Sequence, residues 1–596
     1  MTAASGTSEA ARNGPTMDIQ LLSFNDFHGN LEPPSGSSGK VVVSDSYREV
    51  KNPDGTFSVS ADTVNAGGVE YLATHLKQAR EGHPNSLTVA AGDIIGASPL
   101  LSAAFHDEPT IEAMNNLGLD VTAVGNHEFD EGYKELQRMQ NGGCIDDGAG
   151  ENNQNSCAAH PFKGVDFDFL AANVKYAGTN NTILPSYAIK NVRGAKIGFI
   201  GMTLKDTPGI VTASGVAGLE FTDEVSTANA LVPVLRKKGV NAIVVLIHQG
   251  GSPTRTASYA GGTHTKAATG LENRYDAACQ AGGQLDPSSP ILPIAKGLDP
   301  AIDMVVSGHT HQPYVCNVPD PAGQPRLVTS ASSFGRLITE TNLTYDRRTK
   351  DIVRTSVAGS NMVVTRDVPK DARESALIDQ YKTLVKPIAS KVIGQVTADV
   401  TRAGNPAGES ALGDLIADAQ LADPSTVTAG QTPQIAFMNP GGIRADLTYG
   451  NSPYGEAPGD VTFDEAFTVQ PFNNYLVSMT LTGQDIYDLL AQQVTGKNAS
   501  TKKVLQVSEG FTYTLGADGA VTGSVILNGV AIDEGTSYRI VTNNFLSDGG
   551  DGFPAFTKGA VKYVGGLDID AFASYLSKPG VSPYTPGPTD RIAGSR

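Results

Sequence analysis

The sequence contains no apolar run that approaches the ~20 residues of a membrane-spanning helix, so no transmembrane segment is expected. Basic residues are also scarce, since 44 Lys and Arg stand against 62 Asp and Glu, and the formal net charge is −18. A net negative charge disfavours the nucleic-acid backbone and the anionic membrane surface as main partners. We therefore expect no nucleic-acid polymer as a partner, although a small phosphate can still bind through a local metal ion or arginine.

Only four cysteines occur, Cys144, Cys157, Cys279 and Cys316, and none has the CxxC spacing that is typical of zinc or redox sites. Their local spacing favours two disulfides, Cys144 with Cys157 and Cys279 with Cys316, in an exported protein. Buried free thiols in a cytosolic enzyme are the alternative. Residues 1–16 are small and polar and lack an apolar h-region, so we interpret them as a flexible start rather than as a signal peptide.

The length of 596 residues exceeds what one hydrophobic core usually supports, so at least two domains are expected. In the first part of the chain, short β-prone runs alternate with helical patterns, which argues for a layered α/β domain. Segment 371–392 carries one apolar stripe at helical spacing and separates two regions with different sequence patterns. We interpret this segment as a linker helix at the domain boundary.

Five apolar runs of the first region each stop at a potential metal ligand. Such short runs predict strands, and ligands of open α/β sheets bind outside the carboxyl ends of the strands. His and Asp also favour loops in general, but five of the ten His of the chain fall at these run ends. We therefore predict one metal centre, whose ligands would be Asp26, His28, Asp93, Asn126, His248, His309 and His311.

The number of candidate ligands indicates how many ions the centre holds. Seven groups are too many for one tetrahedral ion and suit two ions that share a bridging ligand. Asp93 is the natural bridge, because a carboxylate has two oxygens and this residue stands alone at its strand end. A mixture of imidazole and carboxylate ligands favours Zn, Mn, Fe or Co over Ca or Mg. The predicted cofactors are thus two divalent metal ions of the transition-metal type.

The order Asp-x-His, Gly-Asp, Gly-Asn-His-Glu, His and Gly-His-x-His is the signature of the calcineurin-like metallophosphatases. The chain as a whole resembles the 5′-nucleotidase family, secreted or surface enzymes that include bacterial UDP-sugar hydrolases and animal ectonucleotidases. The resemblance covers both expected domains and rests on residues 25–29 (Asn-Asp-Phe-His-Gly), 125–130 (Gly-Asn-His-Glu-Phe-Asp), 307–311 (Ser-Gly-His-Thr-His), 439–444 (Asn-Pro-Gly-Gly-Ile-Arg), 470–472 (Gln-Pro-Phe) and 549–552 (Gly-Gly-Asp-Gly).

The resemblance implies a mixed α/β protein with two domains. An N-terminal metallophosphatase β-sandwich flanked by helices would be followed by the linker helix and by a C-terminal α/β substrate-binding domain. The expected boundaries are a flexible start at 1–16, the dimetal domain at 17–366, the linker helix at 367–393 and the nucleotide-binding C-terminal domain at 394–590.

The resemblance also implies roles for individual residues. One metal would be held by Asp26, His28, Asp93 and His311, and the other by Asp93, Asn126, His248 and His309. His127 and Asp130 would form a catalytic pair, and the spacing agrees, because a carboxylate three residues on can orient the imidazole. In the C-terminal domain, Phe472 and Phe545 would sandwich the base, Asn474 would contact it, Asp551 would accept a ribose hydroxyl, and Arg444 and Arg402 would bind phosphate.

The expected activity is metal-dependent hydrolysis of nucleoside 5′-monophosphates by a metal-activated hydroxide, at an exported or cell-surface location. A 2′,3′-cyclic-nucleotide phosphodiesterase and a UDP-sugar or nucleotide pyrophosphatase are the alternatives that the same metals would serve. A thiosulfonate-type hydrolase and a binding protein without catalysis are further alternatives. Asp414 departs from the family pattern, because relatives carry Asn or Arg there, and a carboxylate facing the site would repel substrate phosphates.

Overall fold

The computed structural model describes residues 15–34, 36–51, 57–146, 154–254, 257–263, 268–271, 273–279, 284–499 and 502–594. The predicted flexible start at 1–16 therefore lies, except for residues 15 and 16, outside the described residues. Helices in the described part of the chain are Val69–Arg80, Leu100–Ala103, Glu108–Leu117, Tyr133–Asn141, Glu224–Lys237, Ile291–Gly297, Ala372–Ala389, Ala411–Leu421, Phe463–Val469, Gly483–Gln492, Asn544–Ser547 and Asp568–Leu576.

The first part of the chain forms two large sheets. Each has a run of four parallel strands, with antiparallel strands added at one edge of the first sheet and at both edges of the second. The first sheet has the order Asp351–Ile352, Leu337–Asp346, Thr16–Phe24, Ser86–Ala90, Val121–Ala123 and Asp168–Leu170, and Ala358–Val363 also pairs with Leu337–Asp346. The second sheet has the order Pro313–Asn317, Leu327–Ala331, Met304–Ser307, Ala242–His248, Ala195–Thr203 and Tyr187–Val192.

The two sheets pack face to face over an apolar core. Leu21 and Val89 from the first sheet and Phe199, Val244 and Leu246 from the second belong to the same fully buried cluster. Because strands with both faces covered bury every side chain, these segments read as continuous apolar runs rather than as alternating ones. Helices cover the outer faces of both sheets. Their buried residues include Leu72 and Ile111 on one side and Val232 and Ile294 on the other. The predicted α/β class with an N-terminal sandwich is thereby confirmed.

The helix ends follow local chemistry that the sequence displays. Asp223 caps helix Glu224–Lys237 by accepting the N–H of Ser226 at 2.8 Å, and Asp371 caps helix Ala372–Ala389 by accepting the N–H of Arg373 at 2.9 Å. Gly118 ends helix Glu108–Leu117 in the left-handed conformation that favours glycine. Segment 371–392 is thus mainly helical, as its apolar stripe predicts.

The second part of the chain contains two further sheets. A five-stranded sheet has the order Gln506–Val507, Ile435–Met438, Ser537–Asn543, Tyr475–Thr482 and Ala560–Leu567. A four-stranded sheet has the order Val530–Ala531, Val521–Leu527, Phe511–Leu515 and Ile592–Gly594. Both sheets share one buried cluster, which includes Phe437, Met479, Phe511 and Val525. This arrangement brings the loops after Met438, before Tyr475 and after Asn543 towards the first part of the chain.

Smaller sheets accompany the large sheets in both parts of the chain. Four two-stranded pairs are formed by Lys40–Lys51 with Phe57–Asn65, Leu219–Phe221 with Val174–Tyr176, Ala257–Tyr259 with Ala268–Leu271, and Val392–Gln395 with Asp460–Thr462. The cysteines form the two predicted disulfides, Cys144–Cys157 and Cys279–Cys316. No helix in the described ranges is both long and apolar enough to cross a membrane.

Candidate metal centre and active site

The seven predicted metal ligands come together at one edge of the sandwich. Ligand-bearing ends from three strands of the first sheet and two of the second meet there, because the parallel strands of both sheets point towards this edge. The Nε2 of His248 lies 2.8 Å from Asp93 Oδ2, and His311 Nε2 lies 3.2 Å from Asp26 Oδ1. His309 Nδ1 lies 3.0 Å from Asn126 Oδ1, and His28 Nε2 lies 3.2 Å from His311 Nε2.

The orientation of the imidazoles fits metal ions. His28 Nδ1 lies 2.9 Å from the carbonyl oxygen of Gly96, and His248 Nδ1 lies 2.7 Å from that of Ala91. A ring nitrogen that faces a carbonyl oxygen carries the proton, so in the neutral ring the Nε2 lone pair points into the centre. The buried Nε2 of His248 faces the carboxylate of Asp93, and two imidazole nitrogens that are 3.2 Å apart, as in His28 and His311, suit a shared cation.

Backbone strain is concentrated at the same residues. Five of the seven predicted ligands adopt positive φ angles, a conformation that costs free energy for residues other than glycine. Such strain persists where the surrounding structure fixes it, and it often marks functional sites. The residues are Asp26 (φ 50°), His28 (49°), Asp93 (50°), His309 (73°) and His311 (55°).

Two glycines of the motifs allow the ligand loops to approach each other. A Cβ atom on Gly125 would lie 2.2 Å from Asp93 Oδ1, and one on Gly308 would lie 2.8 Å from Asp26 Oδ2. Both distances are too short for a side-chain contact. Glycine is therefore required at these positions by the packing of one strand end against the next.

Glu128 joins two of the ligand loops and was not among the predicted site residues. Its buried carboxylate accepts the N–H of Asp93 at 2.9 Å, the N–H of Ile94 at 2.8 Å and the N–H of Gly125. Burial raises the pKa of Glu128 to about 7. Its place in the motif of residues 125–130 was a visible signal, but only the tertiary structure connects it to the loop of Asp93.

His127 and Asp130 form the predicted pair, with His127 Nδ1 2.8 Å from Asp130 Oδ2. Asp130 Oδ2 also accepts the N–H of Ala97 at 3.1 Å, and the main-chain N–H of His127 donates to Asp93 Oδ1 at 2.9 Å. Burial opposes a charge on His127, but the carboxylates of Asp130 and Asp93 outweigh it and raise the pKa of the imidazole. With Nδ1 held by Asp130, Nε2 is the nitrogen left to act on a substrate.

A cavity of about 190 Å³ lies between the two parts of the chain and is lined by predicted residues from both. The ring of Phe472 stacks on the imidazole of His127, with centroids 5.8 Å apart, and Arg444 Cζ lies 5.8 Å from the Phe472 centroid. The predicted residues in the lining are Asn126, His127, Asp130, His309, Arg444, Phe472, Asn474, Phe545 and Asp551.

Two residues considered from the sequence lie outside this lining. Arg402 donates its main-chain N–H to Asp446 at 2.8 Å and does not border the cavity. Asp414 is buried beside Glu409, with its Oδ2 3.9 Å from Arg591 Nε, and burial raises its pKa to about 8. The structure therefore gives no contact through which Asp414 would repel a bound phosphate.

Other lining residues were not predicted. Lys503, Asn439 and Thr212 border the cavity, and Phe334 packs edge-on against His28 and His311 with centroids 5.9 and 5.4 Å away. Asn439 lies in the motif of residues 439–444, which was a signal for it. Lys503 and Thr212 belong to none of the sequence motifs described above, so only the fold brings them to the site.

Two family models match the chain, one in its first part and one in its second. Residues 21–313 match the family model of the calcineurin-like phosphoesterases, and residues 392–558 match that of the 5′-nucleotidase C-terminal domain. A cell wall protein of Listeria monocytogenes, Lmo0130, is 32% identical over 592 residues, which cover 96% of this chain and 68% of that protein. The endonuclease YhcR of Bacillus subtilis is 30% identical over 563 residues, which cover 94% of this chain and 39% of that protein.

Among solved structures, a 5′-nucleotidase precursor from Thermus thermophilus superimposes with a TM-score of 0.70. The two are 24% identical, and the match covers 97% of this chain and 99% of that one. Fold and site together define a phosphoric ester hydrolase of the metal-dependent phosphoesterase class. The chain belongs to the 5′-nucleotidase family, in which a calcineurin-like phosphoesterase domain precedes a 5′-nucleotidase C-terminal domain.

Proposed function

We propose that the chain hydrolyses nucleoside 5′-monophosphates to nucleoside and inorganic phosphate. The observation that carries the proposal is the shared cavity of about 190 Å³. Its lining combines the pair His127 and Asp130 and the ligand candidates Asn126 and His309 from the first domain with aromatic, amide, carboxylate and guanidinium groups from the second. A phosphate near the ligand edge and a nucleoside between the aromatic rings would therefore occupy one continuous space.

We assign the predicted ligands to two ions as the family resemblance implies. Asp26, His28, Asp93 and His311 would hold one ion, and Asp93, Asn126, His248 and His309 would hold the other. Bound divalent ions of this type activate water near neutral pH and neutralise charge on the phosphoryl oxygens. The inward lone pairs of His28 and His248 support the assignment.

His127 would transfer a proton and stabilise charge. Asp130 fixes the ring through Nδ1, so Nε2 can donate a hydrogen bond to a phosphoryl oxygen and then a proton to the leaving 5′ oxygen. The carboxylate of Asp130 stabilises the protonated imidazole, because a nearby negative charge favours the charged form of histidine. Water supplies the new P–O bond as the bond from phosphorus to the 5′ oxygen breaks.

The second domain would bind the nucleoside and orient its phosphate. Phe472 and Phe545 would sandwich the base, Asn474 would contact it, and Asp551 would accept a ribose hydroxyl. Arg444 would bind the phosphate with its planar guanidinium, which suits bidentate contact. Arg402 would be a second phosphate ligand, and its guanidinium donates to the carbonyl oxygen of Ile443 at 3.4 Å, directly before Arg444.

We further propose that the protein acts outside the cytoplasm. Disulfides persist in oxidising compartments, and the described structure contains two of them. The similar Listeria monocytogenes protein is named as a cell wall protein, which is consistent with that location.

Removal of metal should abolish the proposed activity reversibly. Protein stripped with EDTA should release no phosphate from AMP, and added Mn²⁺ should restore release, because the ligands alone neither activate water nor neutralise phosphoryl charge. The measurement is colorimetric phosphate release, with Ca²⁺ as the control ion that suits the mixed ligand set less well. An absence of release with and without metal would contradict the proposal and favour a diester or pyrophosphate substrate.

Removal of the Phe545 ring should weaken the binding of nucleotides but not of phosphate esters without an aromatic ring. Phe545→Ala should raise the KM for AMP by roughly 5- to 150-fold, because loss of base stacking costs about 1–3 kcal/mol. The same variant should hydrolyse ribose 5-phosphate as the wild type does, since that substrate carries no aromatic ring. Equal losses on both substrates, measured by steady-state kinetics, would show that Phe545 acts on the phosphate site or on folding instead.

A further inference from the structure

A lysine lies beside the carboxylate to which we assign the ribose. Lys503 lines the cavity, and its ammonium group forms an ion pair with Asp551 Oδ1. The Lys503 side chain remains 30% exposed, so its charge is neither fully buried nor fully solvated. Lys503 and Arg444 are the lysine and the arginine of the described lining, and they come from different loops of the second domain.

Asp551 is held in place without Lys503. Its Oδ2 accepts a hydrogen bond from Asn439 Nδ2 at 2.8 Å, and its main-chain carbonyl accepts one from Asn498 Nδ2 at 2.9 Å. An ionised carboxylate offers about four acceptor positions, so Asp551 keeps capacity for a ligand hydroxyl. An ammonium group has three donors, and the pair with Asp551 uses one of them. Lys503 therefore compensates the charge of the buried Asp551 carboxylate and still has N–H donors to offer to a ligand.

A second lysine borders the same edge of the site. A Cβ atom on Gly552, the residue after Asp551, would lie 3.1 Å from Lys497 Cβ, so the Lys497 side chain starts beside this loop. A Cβ on Gly209 of the first domain would lie 2.5 Å from Lys497 Nζ. The ammonium group of Lys497 therefore lies beside Gly209, which directly precedes the lining residues Ile210 and Val211. Two cations thus flank the Asp551 loop in a protein with a formal net charge of −18.

We propose that Lys503 makes the site selective for nucleotides that carry a second phosphate on the ribose, as nucleoside 3′,5′-bisphosphates do. This inference rests on the proposed function. Asp551 would accept the remaining ribose hydroxyl, and Lys503 would donate to the additional phosphate, with Lys497 adding positive potential at the rim. Water hydrolyses the 5′ ester, its oxygen joins phosphorus, the 5′ oxygen takes up a proton, and a nucleoside 3′-phosphate leaves with inorganic phosphate.

The test compares AMP with adenosine 3′,5′-bisphosphate as substrates of the Mn²⁺-loaded full chain. The wild type should show the higher kcat/KM on the bisphosphate, and chromatography should identify adenosine 3′-phosphate as the product. In Lys503→Gln, the ratio of the two kcat/KM values should fall by about 10- to 100-fold, the loss expected for one charge-assisted hydrogen bond. Lys503→Arg should retain the preference, because it keeps the charge.

Lys502→Gln is the matched control, since it removes the same charge one residue away and outside the cavity lining. It should leave the ratio unchanged. A wild type that prefers AMP, or a Lys503→Gln ratio within twofold of the wild type, would overturn the inference while the proposed function stands. Hydrolysis of neither nucleotide by the wild type would instead overturn the proposed function, and the inference with it.

A measurement on the wild type alone covers the case in which the variant does not fold. Adenosine 3′-phosphate should inhibit AMP hydrolysis at a concentration at least tenfold lower than adenosine does, because only the former offers a phosphate to Lys503. Equal inhibition by both compounds would overturn the inference.

Discussion

Asp93→Asn should reduce kcat/KM for AMP by about 10³-fold or more, the largest effect expected from any single substitution in this chain. The Oδ2 of Asp93 lies 2.8 Å from His248 Nε2 and 3.7 Å from His28 Nε2, so this one carboxylate faces the ligands assigned to both ions. An amide has the same shape but no negative charge, and it should therefore lower the metal content as well as the activity. Steady-state kinetics and mass spectrometry of bound metal measure the two effects.

The control for this substitution is Asp18→Asn, which removes a carboxylate from an exposed position in strand Thr16–Phe24 of the same sheet. That variant should match the wild type in metal content and activity. If Asp93→Asn instead stayed within tenfold of the wild type with full metal content, the assignment of Asp93 as a shared ligand would be wrong.

His127→Gln should lower kcat for AMP by about 10²- to 10⁴-fold, the usual contribution of a positioned general acid. The KM should change only a few-fold, because the role of the ring lies in the transition state rather than in binding. The main-chain N–H of His127 donates to Asp93, and this contact survives the substitution. The metal content should therefore equal that of the wild type, which distinguishes loss of the proton donor from loss of metal.

His75→Gln serves as the matched control for His127→Gln. His75 lies on helix Val69–Arg80 and contacts the carbonyl oxygen of Thr365 at 3.1 Å, outside the cavity lining. It should leave kcat and KM unchanged. Loss of metal in His127→Gln would assign the residue to the metal centre instead, and a kcat near that of the wild type would exclude it as the proton donor.

Much of the candidate site was predictable, because its residues occur in short local sequence patterns. A strand followed by Gly and a ligand is a short-range pattern, and in a sheet with parallel strands such ends must lie at the same edge. The positions of Asp93, Asn126 and His309 therefore followed from the runs that precede them. The disulfides followed similarly, since each cysteine is nearer in sequence to its partner, at separations of 13 and 37 positions, than to either cysteine of the other pair.

Other features depended on contacts between distant parts of the chain. The sequence did not indicate that the ligands come from two sheets rather than one, because strand pairing is decided by packing over long separations. Glu128 acts on the loop of Asp93, which lies 35 positions earlier. Arg402 and Asp414 were considered for the site from motif position alone, but the direction of a side chain depends on how its element packs.

The sequence by itself determined the class of fold and, through the resemblance of its motifs, the family, and it predicted a metal-ligand set, because periodicity, glycine positions and ligand spacing are local properties. Only the tertiary structure decided which groups share the cavity. It placed Phe472 on His127, brought Lys503 to Asp551 and left Arg402 outside the lining. The physical reason is that the cavity lies between two domains, and its lining depends on the packing of surfaces that are far apart in the chain.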